Sequence, residues 1–536
     1  MKKLYYSVTV LLVFITSCNE NFQDDFLETL SLADEIYLRE PSAKTLQPFA
    51  KALYGAMEES SRLREIIKFQ AMEQFNKEYD VLYQFIKNEQ VEDGLTVRDL
   101  LLKHFKSEKI LTAIETQHPT LTIHVPQLLE DSFSAEKWNI AEQVPIVAIH
   151  PERQYRTILI AKSGVFDEGS DEFALEADLI PAFPVVVLKN NARLVISQNE
   201  QSRSEALNNR NSDYVFDFTD DFFDGSIKES AISQNFIGLD NAFAPKIKDA
   251  YEIYNNVDGW QRDYVYYSIT PTNTKGAITL DFQESIYAFS FSSNNTPQAV
   301  LAYLITHSSD PTLINQVSSD GAYPWTSGNF AFRVKTQVGS LLPSANVFDK
   351  LFLANPNELF EVSYQKVIIS NGIFGTGKKY AYKTILTNFK TKNLNLDLFN
   401  WDLANYSPLM KITIEKENPS TQTTTTISTT SQFVSNFGFD AGFGTDVKIG
   451  LKFGTSQQQT YNISYKVVNK LENKNLGDVL INFGDKVLIG KIVNPNTGIT
   501  FYNVREYSSG FYVISVVPRK VQFCGNEGVK ISCMTR

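Results

Sequence analysis

The sequence predicts an α+β chain, in which an N-terminal helical bundle is followed by β-rich, sandwich-like modules. Three observations carry this. Apolar residues recur at three- and four-residue spacing up to about residue 105, then give way after Pro119 to short β-branched runs divided by turn-formers. Aromatics make up 12% of the chain, with 38 Phe and 25 Tyr, a usage that suits large β cores. At 536 residues the chain is too long for one core.

The elements follow in order. Leu46, Phe49, Leu53 and Met57 form one amphipathic stripe, with Ser42 as its N-cap. Leu63, Ile66, Ile67, Phe69, Met72, Phe75, Tyr79, Leu82, Phe85 and Ile86 form a second. Val97, Leu100, Leu101 and Phe105 form a third, and together they predict a bundle over 26–118. A small β-rich module is expected over 119–200, with Asn190-Asn191 as a hairpin turn. After a polar linker, a sandwich-like domain spans 214–415, where DYVYYSIT, YAFSFSS and NFAFRVKT alternate as strands. The last domain, 416–536, is strand-rich and holds a long amphipathic hairpin at 421–468.

Residues 1–17 have a charged start (Lys2, Lys3), a short apolar core from Val8 to Ile15, and small residues Thr16 and Ser17. An apolar core this short fits a signal peptide and is under the roughly 20 residues a bilayer span needs. Cys18 follows at once, and the segment resembles the lipobox of bacterial lipoproteins. That resemblance implies cleavage before Cys18 and lipidation of it. Residues 18–25 form an acidic tether, NENFQDD after the cysteine, similar to the tag of surface-exposed lipoproteins of the Bacteroidota. The expected location is the outer membrane, lipid-anchored and facing outward.

Composition narrows the partners. A net charge of −11 argues against nucleic acid, whose phosphates require a basic face. The two cysteines besides Cys18, Cys524 and Cys533, are an expected disulfide in an oxidising compartment.

No catalytic motif emerges. The five histidines form no HExxH or HxH arrangement, and GIFGTGKK at 372–379 lacks the Ser or Thr that ends a phosphate loop. Asp217, Asp220, Asp221 and Asp224 make an acidic loop of the kind that holds calcium in extracellular modules, without the EF-hand spacing. The turn around Trp260, Arg262 and Tyr264 is the expected contact surface for a glycan or protein.

The hairpin carries the most pattern. Pairing Phe443 with Val447 puts Ile427 opposite Ile463 and every odd residue on one face. Its tip bears Phe437, Phe439, Phe443, Val447, Ile449 and Leu451, apolar for about the 9–11 residues a membrane strand needs. The banding resembles the insertion hairpins of aerolysin-like β-pore-forming proteins, which implies membrane insertion of 427–467. The function expected first is a non-catalytic surface lipoprotein that binds an extracellular macromolecule or glycan. Pore formation is the alternative, and a glycan-active hydrolase the lesser one.

Overall fold

In the computed structural model the described residues run from 42 to 521, apart from 93, 130–131, 150–155, 163–164, 166–170, 177–178, 198–203, 209–211, 227–242, 258, 275, 306–327, 341–346, 371–377, 418–423, 436–458 and 471–473. They form a strand-rich α+β structure with several separate sheets.

Helices α1 (Ser42–Glu59) and α2 (Ser61–Glu73) follow the predicted stripes, with Ser60 capping α2 through Leu63 N at 3.2 Å. The second stripe was expected to run on to Ile86, but helix α2 stops at Glu73. Gln74 and Lys77 take positive φ, 48° and 62°, which turns the chain out of the helix. Phe69 and Met72 are consequently exposed, and Asp80–Leu82 becomes strand β1. Helices α3 (Val97–Leu102) and α4 (Glu108–Gln117) follow, each with an N-cap, Thr96 and Ser107.

The next strands are β2 (Leu121–His124), β3 (Ile146–Ile149), β4 (Arg156–Ile160), β5 (Glu172–Glu176), β6 (Leu179–Pro181) and β7 (Val185–Asn190). Five of them join β1 in one sheet, in the order β1-β2-β7-β3-β4-β5, antiparallel except for β3 beside β7. Leu46, Phe49 and Leu63 from the helices share a core with Ile123, Val147 and Leu188 from the sheet. The helices therefore form a layer on this sheet, and the boundary expected at 118 runs through a common core. Asn190-Asn191 does not close a hairpin either. β7 pairs with β2 and β3, whereas β8 (Leu194–Ile196) pairs with β9 (Phe216–Phe218). β8 and β9 pack on Phe75, Leu82 and Phe85, and so belong to this N-terminal unit.

A second core begins with helices α5 (Pro245–Tyr254) and α6 (Gln261–Tyr267). Strands β10 (Phe282–Phe291), β11 (Phe330–Ser340) and β12 (Val347–Ala354) come next, with helix α7 (Pro297–Leu304) after β10. They are followed by β13 (Phe360–Ser370), β14 (Lys379–Phe389), β15 (Lys392–Asp397) and β16 (Tyr406–Lys416). Then come β17 (Thr424–Ser435), β18 (Gln459–Lys470), β19 (Lys474–Asn482), β20 (Leu488–Val493), β21 (Thr500–Val504), β22 (Glu506–Ser508) and β23 (Tyr512–Lys520).

Two four-stranded sheets, β15-β10-β23-β22 and β12-β11-β16-β19, share this core. Phe289 of β10 meets Phe332 of β11 at 5.6 Å and Phe352 of β12 at 5.4 Å, so rings fill the space between the sheets. Because β16 pairs with β19 and β10 with β23, no boundary falls at 415. Residues on either side of it build the same sheets.

Candidate functional site

Two features lie next to one another: the ladder of β17 with β18, and a polar cleft beside Glu417, the residue after β16. β17 and β18 pair over twelve residues each, from Thr424 with Lys470 to Ser435 with Gln459, and span roughly 40 Å. Their ladder joins no other described sheet, although β18 comes near β11 and β17 near β16. The register differs from the expected one: Ile427 faces Val467, and Ile463 faces Ser431. A slip by four leaves every odd residue on the face assigned to it, because side chains alternate with period two. The tip residues Phe437, Phe439, Phe443, Val447, Ile449 and Leu451 lie outside the described residues.

The cleft is assembled from distant segments. Glu78, Asp80, Lys189, Asn191 and Arg193 of the N-terminal unit line one side, and Asn329, Ala331 and Glu417 line the other. Its volume of about 40 Å³ suits a few water molecules. Asp80 and His124 are cross-strand neighbours on β1 and β2, and His124 Nδ1 lies 2.7 Å from the Asp80 carboxylate. That carboxylate also receives Lys189 Nζ at 3.0 Å, Asn76 Nδ2 at 2.9 Å and Asn191 Nδ2 at 3.2 Å. Burial pushes the Asp80 carboxyl up, but Lys189 and His124 outweigh it and hold Asp80 well below the usual carboxylate range. Burial, followed by the Lys189 charge, pushes His124 below its ordinary value, so the imidazole is neutral near pH 7. Its Nε2 is buried without a partner. An Asp–His pair is a familiar acid–base unit, but here the free nitrogen is closed off from solvent.

The expected contact surface is corrected. DYVYYSIT is not a strand, and Trp260 is not on an exposed turn: it is the residue before helix α6 and is only 8% exposed. Its ring meets Phe483 edge-on at 5.8 Å, and Gly484 is pressed so close that an added Cβ would sit 2.5 Å from the indole. Arg262 is fully buried. It gives Nε and Nη2 to Glu284 at 2.8 and 3.1 Å, and Nη1 to Asp485 O at 3.0 Å. Tyr264 is half-buried, with Lys246 Nζ 5.8 Å from its ring centre. Helix α6 is buried on nearly every side, so Arg262 lies inside the core, and Trp260, in extended backbone just before it, packs into the same aromatic core.

The acidic loop does not converge on one point. Asp220 caps the turn Asp221–Phe223 through Phe222 N at 3.0 Å and pairs with Arg333 at 2.9 Å. Asp224 accepts from Ser204 Oγ at 2.7 Å and from Ser226 N at 2.8 Å. Asp217 is on β9 opposite Val195. Among the described residues no group of three or more His, Cys, Asp or Glu side chains is placed to hold a metal ion, so the calcium expectation finds no site here. Cys18, Cys524 and Cys533 lie outside the described residues. So does most of the glycine segment at 372–379, but the strands on either side of it, β13 and β14, are antiparallel partners ending at Ser370 and Lys379.

The cleft and the Arg262–Glu284 pair escape sequence reading because their members are far apart along the chain. Only the sequence alternation of β17 and β18 could announce the ladder. No described helix is long and apolar enough to cross a membrane. No family model matches the chain, and no curated protein or solved structure matches it significantly.

Proposed function

We propose that this chain is a lipid-anchored protein of the outer surface that acts by contact, without chemistry of its own. Its working element is the β17–β18 ribbon, which enters a target membrane. The observation behind this reading is that the ribbon is a twelve-pair ladder belonging to no other described sheet. A strand pair outside the sheets of the body can leave without dismantling a core. The sequence between its two arms, apolar at odd positions from Phe437 to Phe443 and from Val447 to Leu451, then suits lipid on one face and water on the other. We read the two four-stranded sheets as a β-sandwich that serves as the rigid base.

The test is dye release from liposomes by the full chain, wild type against Phe437→Asp. Release by the wild type, and its loss in a variant with unchanged melting, is the expected result, since a charge on the lipid face of a membrane strand is destabilising. A wild type that releases no dye from any of several lipid mixtures overturns the reading. The anchor is tested separately: Cys18→Ala should give an uncleaved or soluble precursor.

A second reading, binding of an extracellular protein or glycan, is favoured by the β20–β21 hairpin. Ile489, Ile492 and Val493 are each more than half exposed there, and such grouped aliphatic exposure marks interaction surfaces. Loss of binding to isolated target surfaces by Ile492→Lys, with dye release unchanged, would separate it from the first.

A further inference from the structure

Glu417 follows the last residue of β16 and is the last described residue before the segment leading into the ribbon. Its carboxylate is buried and takes Arg333 Nε at 2.8 Å and Nη2 at 3.3 Å. The same guanidinium gives Nη1 to Asp349 of β12 at 2.9 Å and Nη2 to Asp220 at 2.9 Å. Asp220 follows β9 and belongs to the N-terminal unit. One arginine thus ties the ribbon's root, an adjoining strand and the N-terminal unit together.

A second tie lies across the cleft. Glu78 of the N-terminal unit accepts from Asn329 N at 3.1 Å and Asn329 Nδ2 at 3.0 Å, just before β11, and from Arg193 at 2.8 Å. The other charges nearby are already paired: Asp80 with Lys189 in the cleft, and Lys335 with Glu415 farther along β11 and β16. These ties are polar, and polar contacts between units of one chain release more readily than apolar ones. Elsewhere the units are joined by the β6–β14 ladder, and Ala381 and Tyr382 of β14 sit in the N-terminal core. The cleft can open while that attachment holds.

We propose that Arg333 is the pin of a clasp that holds the ribbon's root to the N-terminal unit, and that parting this clasp frees the ribbon to leave the body. The proposal rests on the ribbon being the working element. Without the guanidinium, Asp220 and Asp349 can turn to water, their side chains being 28% and 42% exposed. Glu417 cannot, because it is fully buried. The disturbance therefore falls first on the root.

The test is hydrogen exchange of the full chain, wild type against Arg333→Gln and Asp220→Asn. The expected result is exchange at least about tenfold faster in 410–417 and 216–223, with α1 and β10 at wild-type rates. Asp220→Asn removes the charge from the tie to the N-terminal unit while keeping an oxygen to cap Phe222 N, so it decides alone if Arg333→Gln does not fold. Wild-type exchange in those segments, or acceleration spread evenly over α1 and β10 as well, overturns the clasp. Dye release is measured in parallel. Faster root exchange without any release leaves the clasp standing and removes the membrane reading. Release at equal rates in all three proteins, with unchanged exchange, does the reverse.

Discussion

Two arginine–carboxylate clusters of this molecule use the same side chains for opposite ends. In the C-terminal core, Arg262 and Glu284 are both fully enclosed, with Trp401 5.5 Å from the guanidinium and Tyr266 Oη 3.2 Å from the carboxylate. Beside the cleft, Arg333 is 12% exposed and two of its three carboxylates reach water. Burial sets the difference. An enclosed ion pair cannot part without stranding a charge in a low-dielectric interior, whereas a rimmed one exchanges its partners for water. The first fixes the aromatic core in one arrangement, and the second joins two units that can separate.

The sharpest break of this comparison is Arg262→Met. It leaves Glu284 buried and unpaired, and should cost about 3–5 kcal/mol in chemical denaturation. A loss under about 1 kcal/mol would mean that the pair is no more than a surface bridge. Gly484→Ala comes next. Its methyl group meets the Trp260 indole, and a loss of about 1–3 kcal/mol is expected from overpacking. A neutral result would show that Trp260 can move aside, as a surface residue would.

Asp263 sharpens the contrast from inside the same helix. It is fully buried beside Arg262, and neither of its carboxylate oxygens has a partner. Burial pushes its carboxyl well above the usual range, so the folded state retains the proton longer than the unfolded chain does. Its contribution to stability is therefore fully present below the unfolded carboxyl value, about 4, and is lost as pH rises through the folded value. Asp263→Asn should melt higher than wild type at neutral pH, by a margin that shrinks toward pH 4. A margin constant with pH would contradict this.

The smallest effect is expected at His124. Its folded value lies below the ordinary 6.5, so the stability it contributes is present above pH 6.5 and fades as pH falls below it. His124→Asn retains a donor toward Asp80 without the titration. The melting temperature of the variant should decline less steeply than that of wild type between pH 6.5 and 5, and parallel curves would remove His124 from the acid response.

Alternation and helical spacing were the legible part of the fold. Helix α1 and the first half of α2 bury Leu46, Phe49, Leu53, Leu63, Ile66 and Ile67 as their stripes require, and the alternating segments around 427–467 pair as two strands. The candidate site was legible only as far as that ribbon. Its register was out of reach, because a slip by four preserves every face and the choice depends on what the ends of both strands meet. The cleft was out of reach because it gathers charges from Glu78 to Glu417.

By itself, then, the sequence determined what depends on near neighbours: the helical stripes that open the chain and the alternating runs that became strands such as β10 and β11. Only the tertiary structure decided where the stripe after Glu73 breaks, that Trp260 and Arg262 turn inward, that helices and sheet share one core, and which carboxylates meet Arg333. The physical reason is range. Periodicity is written into adjacent residues, whereas burial and charge pairing depend on which distant segments the whole chain brings together.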